Sequence, residues 1–302
     1  MLVLYSFRMP LKRSILIIGS DRLWEEEQLL IEAGNAGYEA DFITAASVTI
    51  TVGQREADLL LRGKSIRERF RRSRVLFRRS RGAEDTMSTL ALLARHWKVP
   101  ATDSPVSILT NINKALSMPP LTLHELRHIA TSFLQTESAV SASFSALSLP
   151  LLIKPARGRH GEGVRILRSR EELEQALNNI QEDMLLQEYL PIDEEFRAFV
   201  VGNRSLGVIR KIPPEGSVVA NYAAGARFVP AELPASIERE AVTVCHQQEI
   251  DIGGVDIARV GDRYHLLEVN RCPEFRAFMA ATKVNVAQKI IEFLPEKDAC
   301  FS

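Results

Sequence analysis

Two short runs near the end of the chain carry oxygen donors at spacings suited to a hard cation. Asp256 lies in Gly254-Val255-Asp256-Ile257, and Glu268 and Asn270 lie in Leu266-Leu267-Glu268-Val269-Asn270. Side chains alternate along a strand, so Glu268 and Asn270 project to one face. A two-residue turn at Gly261-Asp262 would set Asp256 opposite Leu267, on the wrong face. A three-residue loop, Gly261 to Arg263, sets it opposite Glu268. In that register two carboxylates and an amide oxygen converge on a site for Mg²⁺, with phosphates and water completing the octahedron. The competing reading is three unrelated polar residues on the solvated face of a hairpin whose Val255, Ile257, Leu267 and Val269 face the core. Spacing alone leaves the two even.

Other residues could serve a phosphate-bearing ligand. Lys154 ends the apolar run Leu151-Leu152-Ile153 and precedes Gly158, Gly161 and Gly163. Such a loop can lay backbone N–H groups on phosphate oxygens, although Gly-rich hairpin loops are commonly structural. Gln187-Glu188-Tyr189-Leu190 closes the next strand. Exposed backbone there can read an adenine edge, and Glu195 nearby can hold ribose hydroxyls; an ordinary strand exit with a surface acid is the alternative. Arg210 and Lys211 end a further strand and can stabilise phosphoryl charge, or stand as a basic strand end in water. Arg78 and Arg79 follow directly on Val75-Leu76-Phe77, and ligands gather at such strand ends in open α/β sheets, so Arg78 is a candidate substrate contact. The other arginines between Ser65 and Arg81 read as a solvated helix, with an anion site for nucleic acid or an acidic substrate as the sharper alternative.

The elements needed to position these residues are legible in outline. Ser14 to Ser20, Trp24 to Ala36 and Glu39 to Ile43 read as strand, helix and strand, a parallel α/β unit. Its first loop has a single glycine, Gly19, which argues against a dinucleotide fingerprint. Met87 to Trp97 reads as a helix and Lys98 to Thr102 as a short strand. Ser132 to Ser148 reads as a helix with a loose loop. Downstream, Leu151 to Ile153, Val164 to Leu167 and Met184 to Tyr189 read as strands, with a helix from Glu171 to Ile180. Hairpins follow around Gly202-Asn203 and Gly261-Asp262, with helices from Glu238 to Ile250 and Val284 to Leu294.

The 302 residues are 46% hydrophobic and 25% charged, which fits a globular chain and excludes disordered and fibrous classes. Lys+Arg and Asp+Glu both number 38, so bulk charge gives no reason to expect nucleic acid or membrane as partner. Cys245, Cys272 and Cys300 are too few and too scattered for a disulfide framework. No signal peptide or membrane span is read, and the expected location is the cytoplasm.

Taken in order, these motifs resemble the ATP-grasp fold, and within it the RimK-type carboxylate–amine ligases. The resemblance rests on Lys154 with Gly158, Gly161 and Gly163, Gln187 to Leu190, Glu195-x-Arg197, Val208 to Lys211, Asn221, Gly254-Val-Asp256-Ile and Glu268-Val-Asn270. It implies a mixed α/β (α+β) chain, an ATP-grasp fold preceded by a small N-terminal parallel α/β domain. The implied boundaries are 1–105 for that domain, 106–186 for a small lid subdomain with the glycine loop, and 187–302 for a large subdomain with the metal and ATP site.

By the same resemblance, Lys114, Lys154, Gly161, Gly163, Gln187, Glu188, Tyr189, Leu190, Glu195 and Asn221 would bind ATP. Asp256, Glu268 and Asn270 would hold Mg²⁺, two ions, with Mn²⁺ as a substitute. Arg210 would stabilise the transferring phosphoryl group, and Arg78, Arg197 and Lys211 would meet substrate. The chain departs from the family's pattern at Val219, Ala224 and Glu274.

The activity implied is amide formation through an acyl phosphate, adding an amino acid such as glutamate. The partners are a small carboxylate and an amine, or a protein or peptide acceptor, with neither nucleic acid nor membrane and with homo-oligomers open. A nucleotide-binding module without ligase activity and an arginine-mediated nucleic-acid binder are the alternatives.

Overall fold

The computed structural model describes residues 14–134, 147–157, 163–178, 180, 182–214 and 226–294. It divides into two units, one of Met1–Thr102 with Asn285–Ser302 and one of Asp103–Val284.

In the first unit, β1 (Ser14–Gly19) leads through a helix, Trp24–Asn35, to β2 (Glu39–Thr44). An antiparallel meander follows, of β3 (Val48–Val52), β4 (Ala57–Leu61) and β5 (Lys64–Ser65), and then β6 (Ser73–Phe77). β1 lies between β2 and β6, parallel to both. Ile15, Leu16, Ile17 and Ile18 are all buried, as a strand covered on both faces requires. The expected strand at Lys98 to Thr102 is a single bridge from Ala101 to Val75. The last helix, Val286–Phe293, packs on Trp24–Asn35, whereas the sequence boundaries placed it with residues 187–302. Its Val286, Ala287, Ile290 and Ile291 form one buried apolar stripe, and Asn285 Nδ2 donates to Glu32 Oε1 at 3.0 Å.

Arg78 departs from its expected role. It is wholly buried, with Nε 3.0 Å from Glu26 Oε1, while Arg79 Nη2 lies 3.0 Å from Glu25 Oε2. Both acids stand in the first turn of the helix after β1, where anionic side chains favour the helix N-terminus. Arg78 therefore ties β6 to that helix and presents no surface to a substrate. The neighbouring arginines follow the solvated reading: Arg67 pairs with Glu56, Arg69 with Asp41 and Arg71 with Glu68.

The second unit contains two sheets. β8 (Thr131–Leu134), β9 (Leu151–Pro155), β10 (Arg165–Leu167) and β11 (Met184–Glu188) form an antiparallel sheet in the order β10-β9-β11-β8. Thr131–Leu134 is thus a strand, not the start of a helix, and residues 135–146 lie outside the described residues. The helix Arg170–Leu177, N-capped by Ser169, covers one face with Leu173, Ala176 and Leu177 packed on Leu134, Leu151, Ile153 and Leu186.

The larger sheet runs β14-β13-β12-β15-β16-β7. Its strands are β7 (Leu126–Arg127), β12 (Glu194–Val201), β13 (Arg204–Ile212), β14 (Arg227–Ala231), β15 (Ile252–Val260) and β16 (Arg263–Arg271). Neighbours are antiparallel except β16 and β7, which pair in parallel over two residues. The helix Ala235–Gln247 buries Ile237, Ala241 and Val244 against Phe196, Ala198, Val200, Val255, Ile257 and Leu266. That covers one face of the sheet. On the other face Phe199 packs against Phe275 and Phe278, and the polar residues Glu195, Arg197, Lys211, Asp256, Glu268 and Asn270 project to that same side. No helix among the described residues is long and apolar enough to cross a membrane.

Candidate active site

Which charges share the open face of the larger sheet depends on two single-residue bulges. The β15–β16 hairpin turns through two residues, with Val260 opposite Arg263 and Ile257 opposite Leu266. Carried on regularly, that register would put Leu267 opposite Asp256. The pairing shifts there instead, and Asp256 stands opposite Glu268. The expected juxtaposition is present, made by a bulge at Leu267 rather than by a three-residue loop.

The β12–β13 hairpin behaves alike. Val201 pairs with Arg204 and Val200 with Ser205, and then Phe199 pairs with Gly207. Gly207 has φ +132°, a conformation that favours glycine. Beyond the shift Lys211 stands opposite Glu195, and Arg210 falls opposite Phe196 on the helix-covered side. Arg210 pairs there with Glu194, which also binds Arg259. Of the two basic residues that end β13, Lys211 therefore shares the open face, and Arg210 projects to the other side by strand alternation, against its expected position.

On the open face the charges interlock. Arg197 holds Asp256 at two points, Nε to Oδ1 at 2.6 Å and Nη2 to Oδ2 at 2.7 Å. A Cβ at Gly254 would come within 3.3 Å of Arg197 Cδ and 2.9 Å of Pro273 Cβ, so the bare backbone gives the guanidinium stem its room. Lys211 Nζ lies 2.8 Å from Asp256 Oδ2 and also donates to Glu195. Asn270 Nδ2 donates to Glu268 Oε1 at 3.0 Å and to Asp256 Oδ2 at 3.3 Å. Burial would push the Asp256 carboxyl up, but Arg197 and Lys211 overcome it and hold the group at about 2. Burial pushes the Glu195 carboxyl up, against the pull of Lys211.

The smaller sheet contributes Lys154 and Gln187 on the face away from its helix. Lys154 Nζ donates to Gln187 Oε1 at 3.0 Å, and Gln187 Nε2 donates to Thr131 Oγ1 at 2.8 Å. Sequence reading missed Thr131, because nothing local marked 131–134 as a strand. Burial lowers the Lys154 ammonium to about 8, Glu268 pulls it back up, and Lys114 pushes it further down. Lys154, Lys114 and Glu268 are thereby within electrostatic reach of one another. Lys114 is held near β9 by its N–H bond to the Ala156 carbonyl at 3.0 Å.

This lowered ammonium predicts a pH dependence. A neutral amine cannot pair with phosphate, so affinity for metal-free ATP is expected to fall about tenfold between pH 7 and 9. Isothermal titration across that range checks it, and Lys154→Arg, which keeps its charge, should flatten the profile.

At the end of β11 the N–H groups of Glu188 and Tyr189 are taken by the Ala130 and Pro150 carbonyls, at 2.9 and 3.2 Å. Those two N–H groups are therefore already engaged and not on offer to a base. Glu188 and Leu190 open onto a cleft of about 550 Å³ also lined by Arg127, His128 and His265. Gly163 has φ +72°, and a Cβ there would lie 2.9 Å from Pro155 Cγ, so it closes tightly on the end of β9. Gly161 and Asn221, like Val219 and Ala224, lie outside the described residues.

The donor chemistry fits Mg²⁺ under one condition. No group of three His, Cys, Asp or Glu residues suited to a metal occurs among the described residues, so two carboxylates must be joined by the Asn270 oxygen. Asn270 must turn its amide to present that oxygen. Asp256, both of whose oxygens are held by cationic side chains, must share them.

A family model of the RimK-like ATP-grasp domain matches residues 110–294. A probable alpha-L-glutamate ligase of Haemophilus ducreyi is 30% identical over 169 residues, covering 54% of this chain and 55% of that protein. A probable alpha-L-glutamate ligase of Rhodopirellula baltica is 23% identical over 283 residues, covering 91% of this chain and 69% of that protein. The chain thus spans about half the length of the first of these relatives. Among solved structures, the ATP-grasp ligase PsnB complexed with minimal precursor has a TM-score of 0.73 at 18% identity, covering 95% of this chain and 100% of that one. The D-alanine–D-alanine ligase of Bacillus anthracis has a TM-score of 0.64 at 17% identity, covering 96% of this chain and 98% of that one. At these identities the solved structures bear on the fold, which is ATP-grasp.

Proposed function

The chain belongs to the RimK-like ATP-grasp family, and from that premise we propose that it is an ATP- and Mg²⁺-dependent carboxylate–amine ligase. The observation that carries this reading is the open face, where Glu195, Arg197, Lys211, Asp256, Glu268 and Asn270 meet around one network with Lys154 in electrostatic reach. Glutamate is the proposed amine substrate, after the names of the relatives. The carboxylate is a small molecule or the end of a peptide. Two described cysteines, Cys245 and Cys272, are buried thiols that form no disulfide, in keeping with a cytoplasmic setting.

In this reading Lys154 and Lys114 bind phosphate oxygens, Glu195 holds the ribose, and Glu188 and Leu190 present backbone to the adenine. Asp256, Glu268 and Asn270 would hold Mg²⁺, which when bound neutralises phosphate charge. A substrate carboxylate oxygen attacks the γ-phosphorus, and the bond to ADP breaks. The amine then attacks the acyl carbon, phosphate leaves, and the amine proton passes to solvent. Lys211, not Arg210, would stabilise the transferring group; its position beside Asp256 supports this. Arg197, paired with Asp256, would take a substrate or phosphate oxygen once a cation draws on that carboxylate.

The test is ATP-dependent phosphate release with Mg²⁺ across carboxylates, including peptide ends, and amines, including glutamate. Release that needs both partners supports the proposal; none with any pair, from folded protein that binds ATP, sinks it. With the active pair, Lys211→Met is expected to lose about 10²-fold or more in turnover. Arg210→Ala, on the far face, should stay within about twofold, as for a partly exposed pair. Equal losses in the two variants would refute the assignment to Lys211.

A further inference from the structure

The segment of β16 that carries Glu268 and Asn270 lies along an edge that strand pairing among the described residues leaves open. β15 pairs with it on one side through Val269, Asn270 and Arg271. On the other side β7 reaches only Tyr264 and His265. Beyond those two residues the backbone groups on that edge need other partners, since an unpaired buried amide or carbonyl is costly.

Asn111 supplies them. Its Nδ2 donates to the Val269 carbonyl at 2.8 Å, and its Oδ1 accepts the Arg271 N–H at 2.9 Å. These are the two backbone groups that flank Asn270. One residue of a parallel neighbour strand bonds this same pair, its N–H to the preceding carbonyl and its carbonyl to the following N–H. The side-chain amide therefore extends the parallel pairing begun by β7, one residue long and opposite Asn270. The strand end is held again just beyond. Arg271 Nη1 donates to Asp103 Oδ2 at 3.1 Å, and Asp103 and Asp251 each accept the other's backbone N–H, at 3.0 and 2.7 Å.

We propose that Asn111 is a positioning residue for the metal site, a surrogate strand that fixes the backbone at Asn270 so that its side chain converges with Glu268 and Asp256. This rests on the reading of Asn270 as a metal ligand. Without the clamp only β15 and the Arg271–Asp103 contact would hold residues 269–271, and the side chain of Asn270 would lose the definition that coordination geometry needs.

The experiment compares wild type, Asn111→Ala, Asn111→Asp and Asn270→Ala, using Mn²⁺ as probe. Mn²⁺ binding to the ADP-loaded protein is followed by electron paramagnetic resonance, and ADP binding without metal by calorimetry. Asn111→Ala is expected to weaken Mn²⁺ about 10- to 100-fold, with metal-free ADP binding unchanged. Asn111→Asp keeps an acceptor for Arg271 and loses the donor to Val269, and should fall between. Amide hydrogen exchange at Arg271 should quicken in Asn111→Ala, which reports the clamp directly even if that variant is less stable. Unchanged Mn²⁺ affinity in Asn111→Ala, with Asn270→Ala strongly impaired, overturns the proposal. Unchanged affinity in Asn270→Ala overturns the metal reading itself.

Discussion

Glu268→Ala is expected to lower Mg²⁺-dependent ADP formation by about 10³-fold, the several kcal/mol that a metal's charge stabilisation represents, while the thermal midpoint moves little. The side chain is half-buried and packs no apolar core, so its removal leaves no large cavity. Its partners are the Asn270 amide and, across the site, the Lys154 ammonium. Losing the carboxylate also removes the pull that raises the Lys154 ammonium, so that group should drop below about 8 and nucleotide binding should weaken earlier on the alkaline side. Glu268→Gln separates shape from charge, because it keeps an acceptor for Asn270 and loses the negative charge. A comparable loss in both variants supports a cation held by charge. Turnover within about tenfold of wild type in Glu268→Ala would remove Glu268 from the metal site.

Arg197→Met has the largest expected effect on stability. Asp256 is buried, and Arg197 holds both its oxygens. Removing one partner of a buried pair leaves an uncompensated charge, and with Lys211 still in place the expected cost is about 3 kcal/mol at pH 7. The pH dependence tells this from lost packing. In wild type the Asp256 carboxyl sits at about 2, below its ordinary 3.8. The stability it contributes is present above 3.8 and is lost as pH falls through 2. In the variant burial outweighs the remaining attraction and drives the carboxyl up, so protonation relieves the buried charge at higher pH. The difference between variant and wild type should therefore shrink from pH 7 to pH 4. Denaturant titrations at both values measure it. A loss under about 1 kcal/mol, or one that does not change with pH, would show that the pair is not what holds Asp256 ionised.

Much of the arrangement of the candidate site was legible, because its polar residues stand at strand spacing within apolar runs. Asp256, Glu268 and Asn270 stand in short apolar runs and keep their places. Lys154 closes β9, and Gln187 lies on β11 beside it. The first parallel unit was equally legible, since Ile15 to Ile18 form an unbroken apolar run that only a doubly covered strand can bury. Arg78 was not. A basic residue at a strand end reads alike whether it faces a ligand or a buried carboxylate, and only the helix that brings Glu26 over it decides. The last helix shows the same limit, because an apolar stripe specifies burial without naming the surface that buries it.

The sequence by itself determined the family, the order of the elements and the set of polar residues available to the site. Only the tertiary structure decided which of them share a face. A strand has a side-chain period of two, so one extra residue in a hairpin exchanges its faces beyond that point. The bulge at Leu267 brings Glu268, instead of its neighbour, opposite Asp256, and the shift before Gly207 brings Lys211, instead of Arg210, opposite Glu195. Neither turn sequence encodes these shifts. They follow from packing, because the residues that alternate with the charged ones, Phe196, Ala198, Val208, Val255, Ile257, Leu266 and Val269, must all meet the helix Ala235–Gln247 on the other side.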